Sequence, residues 1–370
     1  MTRTFAFIVA LMLASSHFAE AQSAGDAVFA GTQVHTINLR FPRADYWDSL
    51  TVYYAQGNEQ YIMAHAVIDN VAYDSIAVRL KGNSSYTYPN NKKSFRLAFD
   101  EFVGTRKWDG LKGVHLNNMW GDPSFMREKL HLDFCRDAGI AAPRGNYARL
   151  LVNDTLFAFY SLVEHVDKTL LDTRFANKAG DLFKAVDGIG DSDSLLSDFA
   201  WYGSDTAAYA PRYELKTDGS ITAWHQLLGF IDTLAHQSDA ASVLAAKADL
   251  PQLSKAFAAD NLFGNLDSYL NSGRNFYVYF HSKTGKMKWV VWDAGLSFGA
   301  YGGGVSSPEN MNVAYIVNPD TRPLFGKIVS TPSLKTAYLQ TLCELSTQYF
   351  RSERLFPHID SVATIIRPFV

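Results

Sequence analysis

Asp267 and Asp293 stand on either side of the stretch NFYVYFHSKTGKMKWVVW, with Asn271 and Asn275 between them. One carboxylate to orient and deprotonate a hydroxyl, and a second carboxylate with an amide to hold Mg²⁺ through hard oxygen ligands, is the inventory of phosphoryl transfer. Two strands turned at Lys283-Thr284-Gly285 bring their outer ends together, so the spacing predicts that Asn275 and Asp293 converge. The plainer alternative is that Asp267 caps a turn, Asn275 opens a strand and Asp293 closes one. The turn after Asp293 also spells G-x-S-x-G, Gly295 to Gly299, which raises Ser297 as a hydrolase nucleophile with Asp320 and His358 as triad partners. A nucleophile elbow needs a helix straight after the serine, and AYGGGV is a poor helix start.

A second group of chemically useful residues lies in VRLKGNSSYTYPNNKKSFRLAF, Val78 to Phe99. Gly82, Asn83, Ser84 and Ser85 make a small-residue turn whose amides and hydroxyls can cradle phosphate oxygens. Lys92 and Lys93 enter a strand bearing Phe95, Leu97 and Phe99 on one face, from which a lysine can reach polyphosphate charge. A hairpin with solvated lysines is the alternative.

The elements that must position these groups follow from periodicity. Residues 33 to 99 alternate apolar and polar in short runs such as IMAHAVIDN and IAVRLKG, which predicts a β-rich N-terminal region. DPSFMREKLHLDFCRDAG changes period, and Asp122 as N-cap, Pro123 in the first turn and Gly139 as C-cap predict a helix. Tyr147 to Val166, broken by Asn153-Asp154, reads as a hairpin of mostly buried strands. Residues 186 to 220, rich in Asp, Ser and Gly, read as an elaborated loop region. Two helices follow, ITAWHQLLGFIDTLAHQ and LPQLSKAFAADNLFGNLDSYL, then the hairpin before Asp293, a Gly, Ser and Asn loop over 302 to 312, and a mainly helical end. The last helical element reads as cut short at IIRPFV.

Bulk properties exclude some classes. The chain has 370 residues, 47% hydrophobic and 19% charged, with a net charge of -3, which gives ample core and disfavours both disorder and a dedicated nucleic-acid binder. Arg3, the apolar run Phe5 to Ala14 and Ala19-Glu20-Ala21 read as an export signal over residues 1–21, leaving no membrane span after its removal. Cys135 and Cys343 sit far apart in apolar helical patterns, and two buried thiols compete with a disulfide.

The ordered series RLKGNSS, KKSFRLAF, HLNNMWGDPSFMREKLHLDFCRDAGIAAPR, YARLLVNDTLFAFYSLVEHVDK, GDLFKA, YELKT, DSYLNSGRNFYVY and WDAGLSFG resembles the spore coat protein H (CotH) family of atypical kinase-like proteins. The resemblance covers roughly Arg79 to Gly299. It implies an α+β, bilobal atypical protein-kinase-like fold over 22–370, with a β-rich N-lobe over roughly 30–165 and a mainly helical C-lobe over roughly 166–370. It implies ATP with Mg²⁺ or Mn²⁺ as cofactors and a protein phosphoacceptor as partner. By motif, Asp267 matches the catalytic aspartate, Asp293 the metal-binding aspartate and Asn275 a second metal contact, with Asn271 as an alternative. Arg79, Lys81, Gly82, Asn83, Ser84 and Ser85 match the nucleotide side, with Lys93 the candidate phosphate-pairing lysine; Lys184 and Lys216 match further family lysines. Glu164 is either a partner for one of these lysines or a buried structural carboxylate. Two departures stand out: Gly295 replaces the second acid of a W-D-x-D pattern, and Arg274 stands before Asn275 where relatives often carry His. Some fungal members act as cell-surface ligands, so a non-catalytic adhesion role is the competing expectation.

Overall fold

The computed structural model describes residues 23–57, 59–87, 90–186, 196–217, 219–315, 317 and 320–370; the export-signal expectation over 1–21 lies outside them. The N-terminal half is built from β1 (His35–Arg40), α1 (Tyr46–Ala55), β2 (Ile62–Ile68), β3 (Val71–Lys81), β4 (Ser94–Ala98), β5 (Gly113–Asn117), α2 (Arg127–Asp137), β6 (Gly145–Val152) and β7 (Thr155–Glu164). Its strands close into a barrel in the order β1-β2-β3-β4-β5-β7-β6, with β6 returning parallel to β1. Closure follows from the period-two pattern the sequence carries: Val78, Leu80, Phe95, Leu97, Val114, Leu116, Tyr160 and Leu162 point inward and share one apolar core.

The same alternation fixes what points outward. Arg79, Arg96, His115 and Val163 are aligned across β3, β4, β5 and β7, and Lys81 and Asn117 follow two residues further along their strands. One outer wall of the barrel is therefore cationic at its rim, and the second half of the chain packs against it.

That half contains α3 (Lys168–Phe175), β8 (Asp181–Ala185), β9 (Tyr213–Leu215), α4 (Ile221–His236), α5 (Ala240–Lys247), α6 (Leu250–Leu262), β10 (Phe276–Phe280), β11 (Met287–Val291), α7 (Pro323–Ser330), α8 (Pro332–Gln348) and α9 (Ser352–Ile366). Four of its strands form a sheet in the order β11-β10-β8-β9. Trp289, Phe276, Phe257 and Tyr269 stack at the centre of its core, which also takes in Leu130, Leu132 and Phe134 of α2. Among the described residues no helix is long and apolar enough to cross a membrane.

Several local expectations change. The helix begins at Arg127, not next to Asp122, because Phe125 turns to φ +60° and the Asp122 carboxylate receives the backbone N–H groups of Ser124 and Arg127. Gly139, at φ +68°, closes the helix as expected. The loop read over 186 to 220 contains β9, a strand of only three residues that periodicity cannot reveal. Both cysteines are unlinked; Cys135 is buried and Cys343 exposed.

Candidate active site

The hairpin places Asp293 where the sequence expected a convergence. Phe276 pairs with Val291, so Asn275 and Asp293 emerge at the same end of β10 and β11. The Asn275 amide donates to the Asp267 side-chain Oδ2 at 2.9 Å and to its backbone carbonyl at 2.7 Å, holding the half-buried Asp267 against the start of β10. Committing Nδ2 in this way leaves Oδ1 as the atom of Asn275 with metal-ligating character. Asn275 and Asp293 both adopt positive φ, +60° and +52°, a left-handed conformation that Asn and Asp tolerate better than other residues except glycine.

Asp293 is exposed, yet its charge is felt deep in the barrel wall. Burial lowers the Lys81 pKa, and the first charge opposing that effect is Asp293, followed by Glu128 of α2. Glu128 is pushed up by burial and then by the like charge of Asp293. Lys81 Nζ donates to Asn117 Oδ1 at 2.6 Å, Asn117 Nδ2 donates to Glu128 Oε1 at 2.8 Å, and Ser161 Oγ donates to Glu128 Oε2 at 2.8 Å. A lysine, an aspartate at the end of a strand and a helix glutamate thus share one electrostatic site assembled from barrel, helix and second sheet. Glu128 and Asn117 were not singled out from the sequence. The signal for Glu128 is its place in MREKLHLDF, three residues before His131 on the same face of α2.

Trp292 is the hinge of this arrangement. Its ring meets Lys81 at 5.4 Å, His115 at 5.1 Å and Tyr277 at 5.6 Å, joining the barrel wall to the second sheet. His115 Nε2 and His165 Nδ1 lie 2.9 Å apart. Burial holds both rings neutral, reinforced by surrounding cations that include Arg79, Lys81 and Arg96. Lys184 sits opposite Tyr277 in the sheet and adds positive charge felt at Lys81; Lys216 pairs with Glu214 at 2.6 Å, one strand further out.

The other expected residues are distributed as follows. Arg79 pairs with Glu59 at 2.6 Å at the barrel rim. Gly82 adopts φ +110°, and a Cβ there would meet Ser85 Oγ at 2.4 Å, so the turn through Asn83, Ser84 and Ser85 requires glycine at this point. The turn is held by Tyr54, which donates to the Gly82 carbonyl, and by Asn118, which donates to the Ser85 and Lys92 carbonyls. Lys93 donates to the Tyr86 carbonyl at 2.6 Å with its ammonium 4.8 Å from the Tyr86 ring, while Lys81 is the lysine that senses Asp293. Asn271 is turned away, donating to the Gly303 carbonyl and accepting from Tyr315. Glu164 is the buried structural carboxylate of the two readings, bound by Arg144 and Arg174.

Ser297 is fully buried and no helix follows it directly. Its Oγ lies 2.8 Å from His131 Nδ1, and His131 Nε2 lies 3.8 Å from Asp260. His358, the expected triad partner, contacts Asp133 instead. The Ser297, His131 and Asp260 array is closed to substrate, and what it does is tie the turn after Asp293 to the helix that carries Glu128. Burial pushes Asp260 up to about 7 and His131 down to about 3. Between an ordinary carboxylate value and about 7 the native state holds a proton on Asp260 that the unfolded chain releases, so this contribution to stability falls as pH rises. The unfolded chain protonates His131 where the native state does not, so that contribution rises over nearly the same window. The two slopes oppose each other. Asp260→Asn should therefore unfold in urea with a midpoint that climbs more steeply than wild type between about pH 4.5 and 6.5; parallel curves would show that Asp260 is ionised in the native state.

Among the described residues no three His, Cys, Asp or Glu side chains form a ready-made metal cage. Mg²⁺ bound with a nucleotide needs only one or two protein oxygens, the phosphates and water supplying the rest. Asp293 with Asn275 fits that requirement.

The fold and this site define a mixed α+β protein in which the second sheet presents an aspartate to a lysine-bearing barrel wall. Residues 78–370 match the family described as CotH kinase protein, and the chain belongs to that family. It is 23% identical over 337 residues to the inner spore coat protein H of Bacillus subtilis (strain 168), covering 91% of this chain and 86% of that protein. It is 23% identical over 285 residues to spore coat protein homolog 1 of Rhizopus delemar, covering 75% of this chain and 45% of that protein. Among solved structures, the Helicobacter pylori proinflammatory kinase CtkA is similar at 11% identity, over 72% of this chain and 94% of that one, with a TM-score of 0.28, too low to bear on fold or site.

Proposed function

We propose that this chain is an exported atypical kinase that transfers the γ-phosphoryl group of ATP, with Mg²⁺ or Mn²⁺, to hydroxyls of a protein substrate. The observation that carries this reading is geometric: Lys81 is linked through Asn117 to Glu128 and lies 5.4 Å from the ring of Trp292, the neighbour of Asp293, so three elements from separate parts of the chain meet at one charged site. In this reading the barrel is the N-lobe and the remainder the C-lobe, with the nucleotide between them. Gly82 to Ser85 cover the phosphates, Lys81 neutralises them from a position set by Asn117 and Glu128, and Arg79, Lys184 and Lys216 raise the local positive potential. Lys93 supports the turn from behind. Asp293 and Asn275 hold the cation, which supplies charge neutralisation at the transferring group. Asp267 takes the proton of the acceptor hydroxyl. The N-terminal signal pattern supports export in this reading, and the names of the two spore coat relatives support a coat or surface location.

The test is thermal unfolding with ATP, with Mg²⁺, and with both. The reading expects the largest rise in Tm with the pair, because a ligand that binds only the native state stabilises it by mass action. Identical unfolding in all conditions would overturn it in favour of a non-catalytic surface role.

A further inference from the structure

The end of the second sheet remote from Asp293 carries a cleft of about 530 Å³ that the proposed chemistry does not use. Lys288, on one wall, is five residues before Asp293, about 16 Å along the strand from the candidate metal site, while Ala141, on another wall, accepts from the Val291 N–H at 3.0 Å. Four elements wall it: the last turn of α2 with Arg136 and Gly139 to Ala141, the end of α3 with Thr173 to Phe175, the start of α6 with Asp249, Pro251, Gln252 and Lys255, and Lys288 of β11.

Its charge is opposite in sign to that of the chain. The lining carries four cations, Arg136, Arg174, Lys255 and Lys288, and one carboxylate, Asp249, in a protein whose net charge is -3. The cations are held in place by contacts to the scaffold. Lys255 Nζ donates to the Ala138 carbonyl at 3.0 Å, which covers the negative end of α2. Arg174 donates to the Ala142 carbonyl at 3.2 Å and reaches the buried Glu164. Lys288 pairs with Asp249 and lies 6.0 Å from the Phe175 ring. Arg136 meets Asp133 at 3.2 Å, a carboxylate already shared with Lys129 and His358. The first turn of α6 adds the positive end of a helix dipole to the same wall. Between the cations the lining is apolar, with Ile140 and Ala141 buried, Phe175 half-buried and Pro251 exposed.

Fixed cations around an apolar lining recognise an extended chain that offers acid groups on both sides of an apolar side chain. We propose that this cleft docks an acidic segment of a partner protein, at a distance from the transfer site that leaves a second segment of the same partner free to reach Asp267. The docking itself requires no nucleotide and stands or falls independently of the transfer reaction.

The experiment is fluorescence anisotropy of the full chain with a labelled peptide of about a dozen residues, rich in Glu around a central Leu, compared with its Gln counterpart and with inorganic phosphate as competitor. The Glu peptide should bind at low salt, weaken steeply with ionic strength and outbind the Gln peptide by tenfold or more. Arg136→Ala/Lys255→Ala should weaken the Glu peptide about tenfold. Asp249→Asn, which keeps a helix-capping side chain while removing the one lining carboxylate, should tighten it severalfold. That opposite sign separates docking from damage to the fold. Equal affinity for the Glu and Gln peptides, no effect of either variant, or binding of phosphate with no binding of peptide would overturn the proposal.

Discussion

Asp267→Ala is expected to lower phosphoryl transfer by about 10²–10⁴-fold, the range spanned by a positioned general base, while leaving the Tm rise with Mg²⁺ and ATP nearly intact. The expectation rests on how Asp267 is held. Its carboxylate accepts from the Asn275 amide, and the same amide also binds its backbone carbonyl, so the side chain is fixed relative to the strand leading to Asp293. Alanine removes the proton acceptor, whereas the backbone carbonyl remains to orient Asn275. Transfer should fall through kcat and not through nucleotide affinity. Asn275→Ala offers the complementary case: it removes the amide that donates to the Asp267 carboxylate and the oxygen proposed to hold the cation together, so kcat and metal affinity should fall in parallel. Equal transfer rates in wild type and Asp267→Ala would reject the base assignment, and loss of the thermal shift in that variant would recast Asp267 as a metal ligand.

How much of this was legible beforehand depended on the distance over which each feature is encoded. The Asn153-Asp154 hairpin and the one turned at Lys283-Thr284-Gly285 are local, and the chain forms both as the spacing predicted. The closure of the barrel through the parallel pairing of β1 with β6 joins residues more than a hundred positions apart, and no local pattern announces it. The second sheet was half visible: its hairpin was read, but β8 and β9 are five and three residues long, the first just before and the second inside the region read as loop. Side-chain direction was the other limit. Lys81 and Lys93 both border the small-residue turn, and only the folded register shows Lys81 on the wall that faces Trp292 while Lys93 turns to Tyr86. Glu128 reaches the site because α2 packs against both halves, a tertiary fact that an acid in the first turn of a helix does not betray. His131 was hidden for the same reason, being a helix residue whose partner Ser297 lies far along the chain.

Asp293→Ala should act on binding, not on chemistry alone. Asp293 closes β11 in a left-handed conformation that presents an exposed carboxylate beside Asn275 and within the electrostatic reach of Lys81. Removing it deletes the proposed anionic ligand for the cation, and a tenfold loss of metal-nucleotide affinity, about 1.4 kcal/mol, is the least effect expected. The same change removes the charge that raises Lys81 and the repulsion that raises Glu128, so both groups should titrate lower in the variant. Asp293→Asn separates these contributions, since it keeps the shape and the tolerance for positive φ while discarding the charge. Gly295 provides the reverse experiment. A Cβ at Gly295 would stand 3.7 Å from an Asp293 carboxylate oxygen with no closer obstruction, so Gly295→Asp can be accommodated and would place a second acid next to the first. That variant should tighten the metal-dependent thermal shift, and it should lose the gain when combined with Asp293→Ala. A Gly295→Asp chain that responds to Mg²⁺ as wild type does would show that one carboxylate already completes the protein's share of the site.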